Sequence, residues 1–167
     1  MQLSAHFQSS EFEKDGPMPA GLTEIFKEFC EKILEPIRVY INQPMQITSG
    51  YRSPAANAAA HGVPTSEHVA TPRQCAADFT FDASRLPMRQ VFDWIRDSGT
   101  LPFHQVIFEH GGMASIIHIS YNLDKLGTRQ ALEGATYNAS PYSSWEVAAY
   151  TSPQEDANGG DGHSKVV

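Results

Sequence analysis

Cysteine is scarce: Cys30 and Cys75 are the only 2 in 167 residues. At most one disulfide can form, so a disulfide-stapled fold is excluded and a reduced compartment is the default. Long apolar runs are missing too, which excludes a membrane-spanning helix. The opening MQLSAHFQSSEFEKDG has neither the basic nor the apolar region of a secretory leader, and no export signal is expected. Basic residues are few. Lys and Arg number 12 against 19 Asp and Glu, a net charge of -7 with no basic cluster, so neither nucleic acid nor a membrane surface is an expected partner. No internal repeat is present.

What is there suits one folded domain. Hydrophobic residues make up 41% and charged residues 19% of the chain, enough for a buried core and unlike a disordered sequence. Leu22, Ile25, Phe26, Phe29, Ile33, Leu34 and Ile37 recur at steps of three and four, the period of an amphipathic helix over 22–37. Pro36 removes a backbone donor and is expected to kink or close that helix by about Tyr40. A second helix is predicted over 87–98, with Asp82 or Ser84 as its cap, Met88, Val91, Phe92 and Ile95 as its stripe and Gly99 as its stop. A short third one is predicted over 54–60, ended by Gly62.

Strands are predicted over 45–49, 76–81, 105–110 and 115–121, with a weaker one over 145–150. Helices first and strands later imply an α+β fold, an antiparallel sheet with helices packed on one face. The domain is expected to span 1–150. From Thr151 the chain is aperiodic and rich in Gly, Asp and Ser, so 151–167 is expected to be a flexible tail.

Strand side chains alternate between faces. Ala76, Asp78 and Thr80 share one face against Ala77, Phe79 and Phe81. Gln105, Ile107 and Glu109 oppose Val106, Phe108 and His110, and Ile116, His118 and Ser120 oppose Ile117, Ile119 and Tyr121. Each strand thus offers one apolar face to a core and one face with a single residue fit for metal or acid–base work: Asp78, Glu109 and His118. A loop rich in Gly, Ser, Pro and Ala delivers His68 just upstream. Two imidazoles and a carboxylate form a three-ligand zinc set with a fourth position open for water, as catalytic zinc requires. Glu109 would then take the proton from that water. Singly, each residue has a plainer reading: a half-buried structural histidine, Asp78 as a turn cap, Glu109 as a solvated residue or the partner of Arg52.

The ordered residues Ser49-Gly50-Tyr51-Arg52-Ser53, Asn57, Gly62, Ser66-Glu67-His68, Ala76-Ala77-Asp78, Gln105-Val106-Ile107-Phe108-Glu109 and Ile117-His118-Ile119-Ser120 resemble the D-alanyl-D-alanine carboxypeptidase family of zinc peptidases. That family includes phage and bacterial peptidoglycan peptidases and shares its fold with the Hedgehog signalling domain. Leu3-Ser4-Ala5-His6-Phe7 and Leu34-Glu35-Pro36-Ile37-Arg38 resemble its opening and first helix, so the likeness runs from about Leu3 to Tyr121. The resemblance implies zinc held by His68, Asp78 and His118, Glu109 as the catalytic glutamate, and Arg52 as the arginine that holds substrate near the scissile carbonyl. Tyr51, Ser66 and Gln105 are expected beside the substrate.

It further implies a Hedgehog/D-Ala-D-Ala peptidase-like fold and hydrolysis of peptidoglycan stem peptides, as a D-Ala-D-Ala carboxypeptidase or an L-Ala-D-Glu-type endopeptidase. A wall substrate without a leader fits a phage-encoded monomer acting from the host cytoplasm at lysis or aboard a virion. The rival expectation is a noncatalytic zinc-binding or wall-binding module serving as a virion component.

Two spacings depart from the family's usual pattern. Residues 69–77 separate His68 from Asp78 where the family has a shorter, glycine-containing interval, so this stretch is expected to form a rim of the site that donates no ligand. The positions where many relatives carry the catalytic acid hold Ser115 and Ile116, which leaves Glu109 as the base. His6, His61, His104, His110 and His163 have no partner at ligand spacing and are expected to be ordinary, with His110 near the cleft. Cys75 is read as a small buried residue beside the site, Arg52 alternatively as a loop anchor, and Trp94 and Trp145 as core and surface packing.

Overall fold

The computed structural model describes residues 1–110, 115–134 and 142–152. The long apolar stripe forms a continuous helical run of three parts: α1 (Thr23–Phe29), a π-helical turn (Cys30–Leu34) and α2 (Glu35–Ile41). Its stripe residues from Leu22 to Ile41 are buried at the helix–sheet interface. The helix closes at Ile41, within a residue of the expected Tyr40, with Asn42 as its cap in the left-handed conformation with φ of 51°. Proline lacks the N–H for the carbonyl four residues back and its ring crowds that carbonyl. The wider π turn immediately before it absorbs the mismatch, so the chain stays helical.

The short helix α3 (Pro54–Ala59) starts as its sequence suggests, with Pro54 in the first turn and Ser53 Oγ accepting from the Ala56 N–H at 3.1 Å. Helix α4 (Met88–Asp97) buries Met88, Val91, Phe92 and Ile95. Its cap differs from expectation: Pro87 occupies the position with no side-chain bond. Asp82 and Ser84 are spent on a turn of their own, in which Ser84 N and Oγ donate to Asp82 Oδ1 at 3.0 and 2.7 Å. Gly99, with φ of 64°, follows the helix as the expected stop. Trp94 stacks on Tyr40 of α2 at 4.2 Å and packs against the core.

The six strands form one sheet in the order β1-β2-β4-β3-β5-β6: β1 (Gln46–Ser49), β2 (Gln74–Thr80), β3 (Gln105–Glu109), β4 (Ile116–Asn122), β5 (Gln130–Gly134) and β6 (Ser143–Trp145). Four neighbouring pairs are antiparallel, but β3 and β5 run parallel. The fold is therefore α+β with a mixed, mostly antiparallel sheet, and the expectation of a purely antiparallel one is corrected. Its cause is β5, which was not expected because Gln-Ala-Leu-Glu-Gly is poor in β-formers. The weak last strand lies at Ser143–Trp145, and 146–150 are not strand.

Alternation sorts the sheet as predicted. Cys75, Ala77, Phe79, Val106, Phe108, Ile117, Ile119 and Tyr121 belong to the core packed with the helices, and Asp78, Glu109 and His118 lie on the opposite face. The stretch 69–77 is not a rim throughout. From Gln74 it is β2, with Gln74 opposite Asn122 and Cys75 opposite Tyr121, so only 69–73 remain outside the sheet. Cys75 is fully buried on the core face, its thiol directed at the Ile25 carbonyl at 3.8 Å. Of the expected tail, the Thr151 N–H bonds the Gly99 carbonyl at 2.8 Å, and residues 153–167, with His163, lie outside the described residues. No helix among the described residues is long and apolar enough to cross a membrane.

Candidate metal centre

Asp78 and His118 face each other in the β2–β4 register, so the sheet alone brings two of the three donors together. His68 arrives from the loop after α3, and that loop is tied at several points. Asn57 Nδ2 donates to the Val63 carbonyl at 2.9 Å, and the Arg52 N–H donates to the His68 carbonyl at 2.9 Å. The His68 ring then closes on the Gly50 carbonyl, 2.6 Å from Nδ1. A carbonyl only accepts, so Nδ1 carries the proton and Nε2 presents a lone pair. Glycine is required at position 50 by close approach: a Cβ there would meet Phe12 Cα at 2.6 Å.

The three donors converge. His68 Nε2 lies 3.2 Å from Asp78 Oδ1 and 3.2 Å from His118 Nδ1, and His118 Nδ1 lies 2.8 Å from Asp78 Oδ1. Tetrahedral zinc with bonds of about 2.0–2.1 Å sets its ligand atoms roughly 3.3 Å apart. The group thus fits zinc in both spacing and donor chemistry, and among the described residues it is a cluster able to hold a metal ion. Electrostatics point the same way. Burial alone would raise the Asp78 carboxyl, but the His68 and His118 imidazoles outweigh it and hold the group far below the usual carboxylate range. Burial alone would lower the His68 imidazole, yet the Asp78 charge outweighs it and the net shift is upward. Lone pairs crowded on one point need a cation or protons between them.

Around this floor lies a cleft of about 740 Å³ lined by Arg52, Ser66, His68, Asp78, Gln105, Glu109, His118 and Tyr142, among others. Arg52 is both anchored and placed at the site: Nε donates to Asp15 Oδ2 at 3.2 Å and a terminal nitrogen to Asp78 Oδ2 at 3.4 Å. Ser49 Oγ donates to the same Asp15 oxygen at 3.0 Å. Glu109 is 6% exposed and accepts from the Tyr142 hydroxyl at 3.0 Å. Ser66 Oγ accepts from the His68 N–H at 3.4 Å, and Gln105 Nε2 donates to Gln130 Oε1 at 3.2 Å.

Tyr51 is not among the cleft-lining residues; it packs against the core. His110 turns to Glu133, its Nε2 2.7 Å from Oε1. His104, expected to be ordinary, lines the cleft with Nδ1 2.9 Å from Glu67, whose Oε1 also accepts from Asn122 Nδ2 at 2.6 Å. That clamp fixes the residue next to His68 onto β4. Glu67 enters the sequence reading only within the Ser66-Glu67-His68 motif and without a role, and Asp15, His104 and Tyr142 are absent from the site as read from sequence, because each acts through a partner distant in the chain and none carries a local spacing signal.

No curated protein matches the chain. The sequence model of the family described as Peptidase M15 matches residues 5–120, a span that holds Arg52, His68, Asp78, Glu109 and His118. With more than half its length matched and a three-donor group of the right chemistry on the cleft floor, the chain belongs to the peptidase M15 family, whose members are zinc-dependent.

Proposed function

We propose that this metallopeptidase hydrolyses peptidoglycan stem peptides, as a D-Ala-D-Ala carboxypeptidase or an L-Ala-D-Glu-type endopeptidase, with 1–150 as the catalytic unit on a Hedgehog/D-Ala-D-Ala peptidase-like sheet. One observation carries the reading: Glu109 shares a sheet face and a cleft with the His68, Asp78 and His118 group. In the β3–β4 register Ile107 stands opposite His118 and Glu109 opposite Ile116, so the carboxylate is two residues along the same face.

His68 Nε2, Asp78 Oδ1 and His118 Nδ1 would hold zinc, which when bound supplies Lewis acidity that acidifies a water and polarises a carbonyl. The Gly50 carbonyl holds the His68 tautomer and Arg52 holds the second Asp78 oxygen, so the donor atoms stay aimed. Glu109 accepts the proton of the attacking water and returns it to the departing amine. Arg52, fixed by Asp15, offers a positive charge to a peptide carboxylate or to the developing oxyanion. Ser66 and Gln105 form the walls against which the peptide lies, and Tyr51 supports the turn that carries Arg52. The family likeness and a wall substrate favour a phage-encoded monomer acting at lysis or from a virion.

Glu109→Gln keeps the shape and removes the basic oxygen. Zinc content and melting temperature should stay near those of the parent, while release of peptide from purified peptidoglycan falls at least ~100-fold. A Gln variant that remains active overturns the mechanism. A parent protein that sediments with wall material in excess zinc yet releases no peptide is instead the noncatalytic module.

A further inference from the structure

Tyr142 reaches the cleft from a part of the chain beyond the residues that match the family. The sheet explains how. β5 pairs in parallel with β3 as far as Gly134 opposite Glu109, and β6 pairs back on β5 with Ser143 opposite Glu133. Tyr142 immediately precedes that last pair, and so is set down beside the end of β3. The support is firm: Trp145 Nε1 donates to Glu133 Oε2 at 3.1 Å, the Arg89 guanidinium lies 4.5 Å over the Trp145 ring, and His110 Nε2 is 2.7 Å from Glu133 Oε1.

A glutamate side chain has three torsions, and a base free to sample them spends little time where proton transfer is possible. The phenol answers this requirement, since its hydroxyl donates to Glu109 Oε1 at 3.0 Å. Burial, and then the Glu109 charge, push the phenol up to about 12, so it keeps its proton throughout the working range. The geometry points to Tyr142 as a positioning residue whose hydroxyl holds the Glu109 carboxylate in the orientation from which it takes the proton of water. This role rests on Glu109 being the base, and it makes Tyr142, the residue just ahead of β6, a support of the catalytic carboxylate.

A double-mutant cycle tests it. In the zinc-loaded enzyme, Tyr142→Phe should lower kcat on a soluble muropeptide about 10-fold, a fraction of what a general base contributes, with KM within about twofold. Zinc stoichiometry and melting temperature should not move. In the Glu109→Gln background the same substitution should cost less than about twofold, because nothing remains to position. Independently of turnover, the 19F resonance of 3-fluorotyrosine at position 142, identified by its loss in Tyr142→Phe, should shift in Glu109→Gln. Full activity of Tyr142→Phe, a loss that repeats undiminished in the Glu109→Gln background, or an unmoved resonance overturns the positioning role and leaves the base assignment standing. An active Glu109→Gln enzyme overturns both.

Discussion

Two histidines meet one point through different nitrogens, Nε2 of His68 and Nδ1 of His118, and each choice is made by its surroundings. His68 spends Nδ1 on Gly50, whereas His118 stands directly across the ladder from Asp78 and meets it with its nearer nitrogen. Removing either histidine leaves two donors, one fewer than the three protein ligands a catalytic zinc site uses. His118→Ala should therefore lose its zinc on dialysis while remaining folded, and stoichiometric zinc in that variant would refute the ligand set. Gly50→Ala acts one step further out. Its methyl would meet backbone and Cβ atoms of Phe12 at 2.6 to 2.7 Å, so the carbonyl that orients His68 must shift. The expected cost is about 1–3 kcal/mol in urea unfolding, with weaker zinc retention against a chelator. At this scale the sequence is legible wherever alternation applies: Asp78, Glu109 and His118 were sorted onto one face because strands have period two. Asp15 and Tyr142 escape it because a single Asp in a turn, or a single Tyr before a three-residue strand, has no period.

Elements show a second kind of dependence, in which one side chain fastens a segment. Glu35 at the start of α2 accepts from Ser4 Oγ and the His6 N–H through Oε1, both at 2.7 Å, and its Oε2 lies 2.7 Å from His6 Nδ1. The N-terminal segment so fastened buries Leu3, Phe7 and Phe12 in the core. Burial works to raise the Glu35 carboxyl, but the bonds from Ser4 and His6 outweigh it and the net shift is below its ordinary 4.5. A lowered carboxyl stabilises the fold above its ordinary value and ceases to do so as pH falls through the folded-state value. Glu35→Gln should thus cost about 1.5–3 kcal/mol at pH 7, the range for hydrogen bonds to a charged group. The gap to the parent should narrow in urea melts as pH drops below 4.5, and a gap independent of pH would disprove the fastening. Elements with strong apolar periods, α1 with α2 and α4, are readable in advance. The π turn, the bare cap of α4 and β5 are not, since they answer to a neighbour: Pro36, the Asp82–Ser84 turn and β3 respectively.

On the scale of the whole molecule, the family-matched residues end at 120 but the sheet does not, for β5 and β6 continue it on the side of β3. A chain stopped at Asn122 would leave β3, with Val106 and Phe108 on its core face, as an open edge inviting pairing with another copy. Such a truncation should elute as aggregate in size exclusion where the parent elutes as one species, and a well-behaved truncated monomer would show β5 to be dispensable. Chain order also puts the residues around the cleft in an order of birth. His68, Asp78, Glu109 and His118 are all made before β5 exists, and at about 5–20 residues per second the ribosome leaves an interval on the order of seconds before Tyr142 follows. During it the nascent chain holds all three donors of the proposed zinc set beside an uncovered strand, and this interval is when a chaperone would matter most.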